Sequence, residues 1–241
     1  MIPGTDEFAD GRRWTRTVPG VASQVIPLFP LGTVLLPGAP LSLHVFEPRY
    51  RTLVADLLKR PEDQPRFGVV AIRAGHEVGS HAVRSLHDVG CIAAVTSLRA
   101  APDGTYTLEA VGSARFRVGA LFRDRPYLCA EVEVLPEPAG EVGSLAATVA
   151  ARYTDYRAAI GGLRGVEPEA TPLPTDPRLL SYLVAATVVA DLGDRQRFLA
   201  EPDAAARLAT QAEWLAREAT LVRQLSALPA GRSLDVPASM N

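Results

Sequence analysis

Ile26-Pro-Leu-Phe-Pro-Leu-Gly-Thr-Val-Leu-Leu-Pro-Gly-Ala-Pro-Leu-Ser-Leu-His-Val-Phe-Glu-Pro-Arg-Tyr50 decides the fold class of this 241-residue chain. Pro27, Pro30, Pro37 and Pro40 lie between short apolar runs, and a residue without an N–H cannot donate to a central ladder. The stretch therefore predicts edge strands and fixed bends, with strands over 25–29 and 41–45. Pro48 stands where a helix takes its first residue. Tyr50, Leu53, Val54, Leu57 and Leu58 follow at helical spacing, so a compact β module runs directly into a helix.

Outward from this segment the pattern stays mainly β as far as Pro136. Strands are expected over 67–72, 90–99, 105–111, 115–122 and 128–135, with a loop at 76–85. Pro102-Asp-Gly104 is a hairpin turn, and Tyr106, Leu108 and Ala110 alternate with polar neighbours as in a half-buried strand. Many short strands, one early helix and no βαβ rhythm argue for a mixed, barrel-like sheet and against a doubly wound fold. Beyond Pro136 the period changes. Leu145, Val149, Tyr153, Tyr156 and Ile160 mark a helix that Gly161-Gly162 should stop. Asp176-Pro177 is an N-cap followed by a first-turn proline, ahead of an apolar helix over 179–192. Leu208, Ala212, Leu215, Ala219 and Val222 form the buried stripe of a last helix over 203–228. The expected organisation is a flexible leader (1–23), a β domain (24–138), a helical bundle (139–228) and a frayed tail (229–241).

Composition narrows the function. Hydrophobic residues at 47%, charged residues at 22% and a net charge of −2 describe an ordinary globular chain with no long-range field for nucleic acid or an acidic membrane. Cys91 and Cys129 sit in apolar strand-like runs and read as buried, reduced thiols. The first residues lack a basic segment followed by an apolar one, and the longest greasy run, 182–190, is about half of what a bilayer needs, so a cytoplasmic location is expected.

Lys59 is the only lysine. No Gly-Lys dipeptide is present, which excludes a P-loop from this sequence. A serine–lysine dyad needs a desolvated amine, whereas Lys59 ends an amphipathic helix beside Arg60 and Pro61. No Gly-x-Ser-x-Gly elbow occurs either. His76-Glu-Val-Gly-Ser-His81 has its histidines five apart, off a common helix face; with His87 it leaves only a weak loop site, and neither metal nor cofactor is expected. Glu131 and Glu133 share a strand face and read as solvated. Glu47 and Arg49 flank Pro48, where Glu47 caps the helix or pairs with an arginine and Arg49 is available to a ligand carboxylate.

Motifs along the whole chain resemble the stand-alone Lon N-terminal domain family. They are Pro27-Leu-Phe-Pro30, Phe46-Glu-Pro-Arg-Tyr50, Phe67-Gly-Val-Val70, Gly75-His-Glu-Val-Gly79, Val89-Gly-Cys-Ile-Ala93, Gly112-Ser-Ala-Arg-Phe-Arg117 and Pro126-Tyr-Leu-Cys-Ala-Glu-Val132. Asp194-Arg-Gln196, Phe198-Leu-Ala-Glu201 and Arg207-Leu208 continue the likeness. The resemblance implies an α+β fold, a PUA-like mixed β pseudo-barrel followed by a C-terminal helical bundle. It also implies recognition of substrate polypeptides without any catalytic residue to carry over; the peptidase S16 label attached to such proteins is then a domain label. Expected partners are unfolded or degron-bearing polypeptides and a protease on another chain, in an adaptor or ATP-independent holdase role. The candidate binding rim is Phe29, Leu31, Leu35, Leu36, His44, Glu47, Arg49 and Tyr50, with the competing reading that its apolar members fill the barrel. A small-molecule or RNA binder is the alternative. For RNA the candidate patches are Arg115-Phe-Arg117 and Phe122-Arg-Asp-Arg125.

Overall fold

A computed structural model of the chain describes residues 23–59, 65–75, 83–166 and 172–227. The expected leader and tail, His76 and His81 lie outside them, apart from Ser23. Among the described residues are seven strands: β1 (Ser23–Leu31), β2 (Pro40–Val45), β3 (Arg66–Gly75), β4 (Val83–Leu86), β5 (Val89–Ala100), β6 (Tyr106–Phe122) and β7 (Cys129–Val134). Five helices accompany them: α1 (Pro48–Leu58), α2 (Leu145–Arg164), α3 (Pro177–Thr187), α4 (Leu192–Ala200) and α5 (Ala204–Ala227). The α+β class is as expected.

The strands close on themselves. The order β1-β7-β6-β5-β3 returns to β1 through a β1–β3 pairing; β4 extends β3, and β2 pairs with β6. The β1–β3 ladder is parallel, and the other pairings are antiparallel. Closure removes the edge that an open sheet would expose on β1. Ile26, Leu28, Val70, Ile92, Phe116, Ala130 and Val132 fill the inside.

The prolines do not mark β1 as a strand at the end of the sheet: it has two strand partners, each along one half of its length. Ser23–Pro27 pair with β7, and Leu28–Leu31 pair with β3. The strand changes partner where its prolines sit. Leu28 donates its N–H to Leu128 O at 2.8 Å, so by alternation the nitrogens of Leu28 and Pro30 point toward β7 and that of Pro27 toward β3. Pro27 thus precedes the β3 ladder and Pro30 follows the β7 ladder, and neither missing N–H interrupts a bond.

β6 also departs from expectation, since the predicted strands 105–111 and 115–122 form one strand of 17 residues. Gly112 reads as a breaker in the sequence. In the fold it lets the 32–39 loop cross closely: Gly38 N–H donates to Gly112 O at 2.8 Å, and Gly112 N–H donates to Ala39 O at 2.9 Å. β2 lies along the first half of β6 and β7 along the second half, with β5 beside both. Part of the expected 76–85 loop is strand β4.

Compactness divides the chain into two units, one of 1–136 with 189–200 and one of 137–188 with 201–241. The expected 139–228 bundle is thereby corrected. α4 groups with the barrel because Gln196 donates its Nε2 to Val89 O at 3.0 Å and Arg115 donates Nη1 to Leu199 O at 2.9 Å. Arg115 is fully buried and also reaches Pro136 O at 3.2 Å. The expected 179–192 helix stops at Thr187. Val188 is extended, and the carboxylate of Asp191 accepts from Asp194 N–H at 2.8 Å, capping a new helix.

The second unit contains α2, α3 and α5. α2 runs past Gly161-Gly162, since a glycine inside a helix costs only about 1 kcal/mol against alanine. It ends at Gly165, whose φ of 66° is the left-handed turn that closes on the Gly161 and Gly162 carbonyls. The α5 stripe Leu208, Ala212, Leu215, Ala219 and Val222 is buried as expected, and Tyr156 meets Trp214 edge-on at 5.6 Å. Beside it lies a buried polar group. The Arg207 guanidinium covers the Tyr182 ring at 4.0 Å and donates to Ser181 Oγ at 3.1 Å, while Tyr182 OH donates to Glu137 Oε1 at 2.7 Å.

Asp176 caps α3 as predicted. The Arg178 side chain and the backbone N–H groups of Arg178 and Leu179 hold its carboxyl at about 2, below the ordinary 3.8. A lowered folded-state value stabilises above the unfolded value and is lost as pH falls through the folded one. Asp176→Ala should therefore lower the melting temperature at pH 7. That difference should vanish between about pH 4 and pH 2, which thermal melts across pH will check.

Candidate functional site

The Pro/Gly loop, β2 and the start of α1 bring the predicted rim residues together, but they sort into two sets. Phe29, Leu31, Leu35, Leu36 and Tyr50 are buried. Phe29 stacks on Tyr50 with centroids 3.9 Å apart and tilts against Phe67 at 5.9 Å. These five belong to the core, because the loop folds inward over β6 and removes their apolar surface from water. The reading of them as an exposed peptide rim is corrected.

His44 is exposed; Glu47 and Arg49 are half-buried. Glu47 is the N-cap residue of α1 but makes no side-chain cap bond; its carboxylate pairs with Arg49 at 3.0 Å. The Arg49 guanidinium also lies 4.4 Å over the Tyr50 ring. Of the two readings of this pair, the structural one in which Glu47 pairs with an arginine is what the geometry has, and Arg49 is already engaged.

The residue that the sequence reading missed is Phe46, 52% exposed and stacked with His44 at 6.1 Å. Its signal was present: Leu41, Leu43 and Val45 alternate with Ser42, His44 and Phe46, and the second set shares the parity of the exposed positions. In β2, Pro40, Ser42 and His44 are exposed, Leu41 and Leu43 are half-buried, and Val45 is buried. Ser42 Oγ donates to Glu109 across the ladder. No described strand pairs with the side of β2 away from β6.

The lone lysine has a different surrounding from a catalytic amine. Lys59 Nζ donates to Asp56 Oδ1 at 2.8 Å, and its side chain is 75% exposed. Asp56 Oδ2 accepts from Tyr127 OH at 2.8 Å and from Arg125 at 3.3 Å. Burial pushes Asp56 upward, but the hydrogen bonds from Lys59 and Tyr127 outweigh it and leave the carboxyl below its usual range. Burial first, and then the bond to Asp56, raise Tyr127 far above an ordinary phenol. Burial also pushes the Cys129 thiol up to about 11, so it stays protonated and unreactive. Cys91 is buried, and both cysteines are free thiols, as read from the sequence.

Of the expected RNA patches, Phe122 and Arg123 are exposed, but the other basic and aromatic members are interior or paired. Arg115 and Phe116 are interior, Arg117 pairs with Glu133 at 3.2 Å, and Arg125 is held by Asp56. Burial and the nearby Arg73 charge lower His87, and no described group of three His, Cys, Asp or Glu side chains gathers to hold a metal. No described helix is long and apolar enough to cross a membrane.

A closed mixed barrel carrying α4, plus a unit of three helices, makes an α+β protein whose lone lysine is held in an ion pair. Residues 25–217 match the model of the ATP-dependent protease La (LON) substrate-binding domain, and the chain belongs to that family. It is 27% identical over 216 residues to Lon protease 2 of Sorangium cellulosum, covering 87% of this chain and 26% of that protein. It is 28% identical over 205 residues to Lon protease 2 of Myxococcus xanthus, covering 83% and 24%. The chain thus spans about a quarter of the length of these curated relatives. Among solved structures, the Lon N-terminal domain protein from Xanthomonas campestris is 26% identical with a TM-score of 0.55, covering 79% of this chain and 98% of that one. The N-terminal domain of Mycobacterium avium complex Lon protease shares the fold with a TM-score of 0.56 at 16% identity, over 80% of this chain and 98% of that one.

Proposed function

We propose that the chain is a non-catalytic recognition module for polypeptides, binding unfolded or degron-bearing segments as an adaptor or ATP-independent holdase in cytoplasmic protein quality control. The observation that carries this reading is the extent of the family match. It begins in β1 and ends in α5, so the barrel unit and the helical unit both belong to a domain type described as substrate-binding. The chemistry of the described residues is consistent with a binding role. Lys59 is held by Asp56 rather than set beside a serine hydroxyl, and the buried thiol of Cys129 is protonated at neutral pH. A protease on another chain, or elsewhere on the same polypeptide, would supply cleavage.

Peptide arrays and pull-downs of chemically unfolded proteins test the reading, with an unrelated β domain as comparator. Enrichment of unfolded over native proteins is the expected result; equal retention by the comparator would sink it. In a casein assay with and without ATP, the purified chain should release no fragments.

A further inference from the structure

The ladder geometry of β2 fixes which of its backbone groups are spare. Pro40 is paired with Val111, and Gly112 N–H donates to Ala39 O at 2.9 Å. In an antiparallel ladder, that bond makes Pro40–Val111 a non-hydrogen-bonded pair, which suits a residue without an N–H. The alternation then runs along the strand. Leu41, Leu43 and Val45 exchange bonds with Ala110, Leu108 and Tyr106, while the N–H and C=O groups of Ser42 and His44 point away from β6. Among the described residues no backbone group bonds Ser42 or His44 on that side. Both residues, with Pro40, are exposed. β2, like β4, branches off the β1-β7-β6-β5-β3 ring and has a single strand partner.

We propose that the outer edge of β2 is the docking site for an extended polypeptide segment, which adds to the sheet as a strand antiparallel or parallel to β2. This deepens the recognition reading above and rests on it. Ser42 and His44 supply two donors and two acceptors, spaced two residues apart as one added strand requires. The segment's alternate side chains then fall on two different faces. One set continues the half-buried Leu41 and Leu43 row and prefers apolar residues; the other lies beside His44 and Phe46, where an aromatic or aliphatic side chain covers the exposed ring. The length of the edge favours a short client segment over a second copy of this chain. Six residues span about 20 Å, and one strand laid along them buries on the order of a few hundred Å2, well short of the ~1,200 Å2 of a stable protein dimer.

Fluorescence polarisation with a labelled Thr-Val-Thr-Val-Thr-Val peptide tests this. Ser42→Pro removes an N–H that β6 does not use, and Ser42→Ala keeps that N–H while losing the same hydroxyl bond to Glu109. The expected result is at least tenfold weaker binding for Ser42→Pro and less than twofold for Ser42→Ala, with both variants melting as the parent does. His44→Pro, which removes the other outward N–H, repeats the test should Ser42→Pro unfold. Peptides N-methylated at alternate residues extend it: one register should lose binding and the other keep it. Equal binding by the proline variants and the parent, or by both methylated registers and the unmethylated peptide, overturns the proposal. So does failure of the short peptide to bind a chain that retains unfolded proteins, which would leave the recognition reading standing. A dimer that Ser42→Pro converts to a monomer would give the edge to a second copy and also overturn it.

Discussion

Arg115→Met should destabilise the barrel unit by about 4 kcal/mol in urea unfolding. The side chain is 1% exposed and donates to the carbonyls of Leu199 and Pro136 at 2.9 and 3.2 Å. Methionine is near in size but offers no donor. Both carbonyls then lose a partner, at about 1–3 kcal/mol for each buried acceptor left without a replacement. The damage should be local in its first expression, because Leu199 belongs to α4, and hydrogen exchange in α4 should quicken before the strands open. Arg117→Met, two residues along the same strand, removes an exposed pair with Glu133 and should change stability by less than about 0.5 kcal/mol. Equal effects at the two positions would mean that Arg115 does not tie α4 to the barrel.

Gly112→Ala should cost about 3 kcal/mol, although it adds one methyl group. A Cβ built there would stand 2.1 Å from Leu36 O and 2.9 Å from Leu36 C, which are backbone atoms that cannot rotate away. Relief requires moving the 32–39 loop off β6, with loss of the two bonds that Gly112 exchanges with Gly38 and Ala39. Those bonds set the register in which β2 enters the sheet. The substitution should therefore weaken peptide capture at β2 as well as lower the melting temperature. Gly162→Ala is the control: nothing lies within 4 Å of its added methyl, and within α2 it should stabilise by about 0.5–1 kcal/mol. A Gly112→Ala protein as stable as the parent would contradict the close crossing.

Much of the fold was legible in local signals. Pro48 at the first turn of α1, Asp176-Pro177 at α3 and the α5 stripe are patterns whose cause lies within a few residues. The errors share the opposite property, for each depended on a partner distant in sequence. The prolines of β1 suggested an edge, yet the strand changes partner from β7 to β3 where they occur, and nothing near Pro27 encodes β3. Gly112 looked like a break in β6 because its role is played against Leu36, far earlier in the chain. α4 reads as part of the bundle in the sequence because its holding partners, Val89 and Arg115, lie 107 and 84 residues before the α4 residues they bond.

The candidate site divided in the same way. Phe29, Leu31, Leu35, Leu36 and Tyr50 are apolar residues near a turn, a property that equally suits a core, which is where they lie. The parity of Ser42, His44 and Phe46 was readable from alternation alone. Which backbone groups remain spare was not, since that follows from the Pro40–Val111 register.

The central claim, that this chain binds unfolded polypeptide without cutting it, is tested most directly by titrating the purified protein into fluorescein-labelled, reduced and carboxymethylated lactalbumin without ATP. The account predicts a saturable rise in anisotropy with a dissociation constant on the order of micromolar, and a probe that runs intact on a gel afterwards. No rise up to about 100 μM protein, or cleavage of the probe, would contradict it.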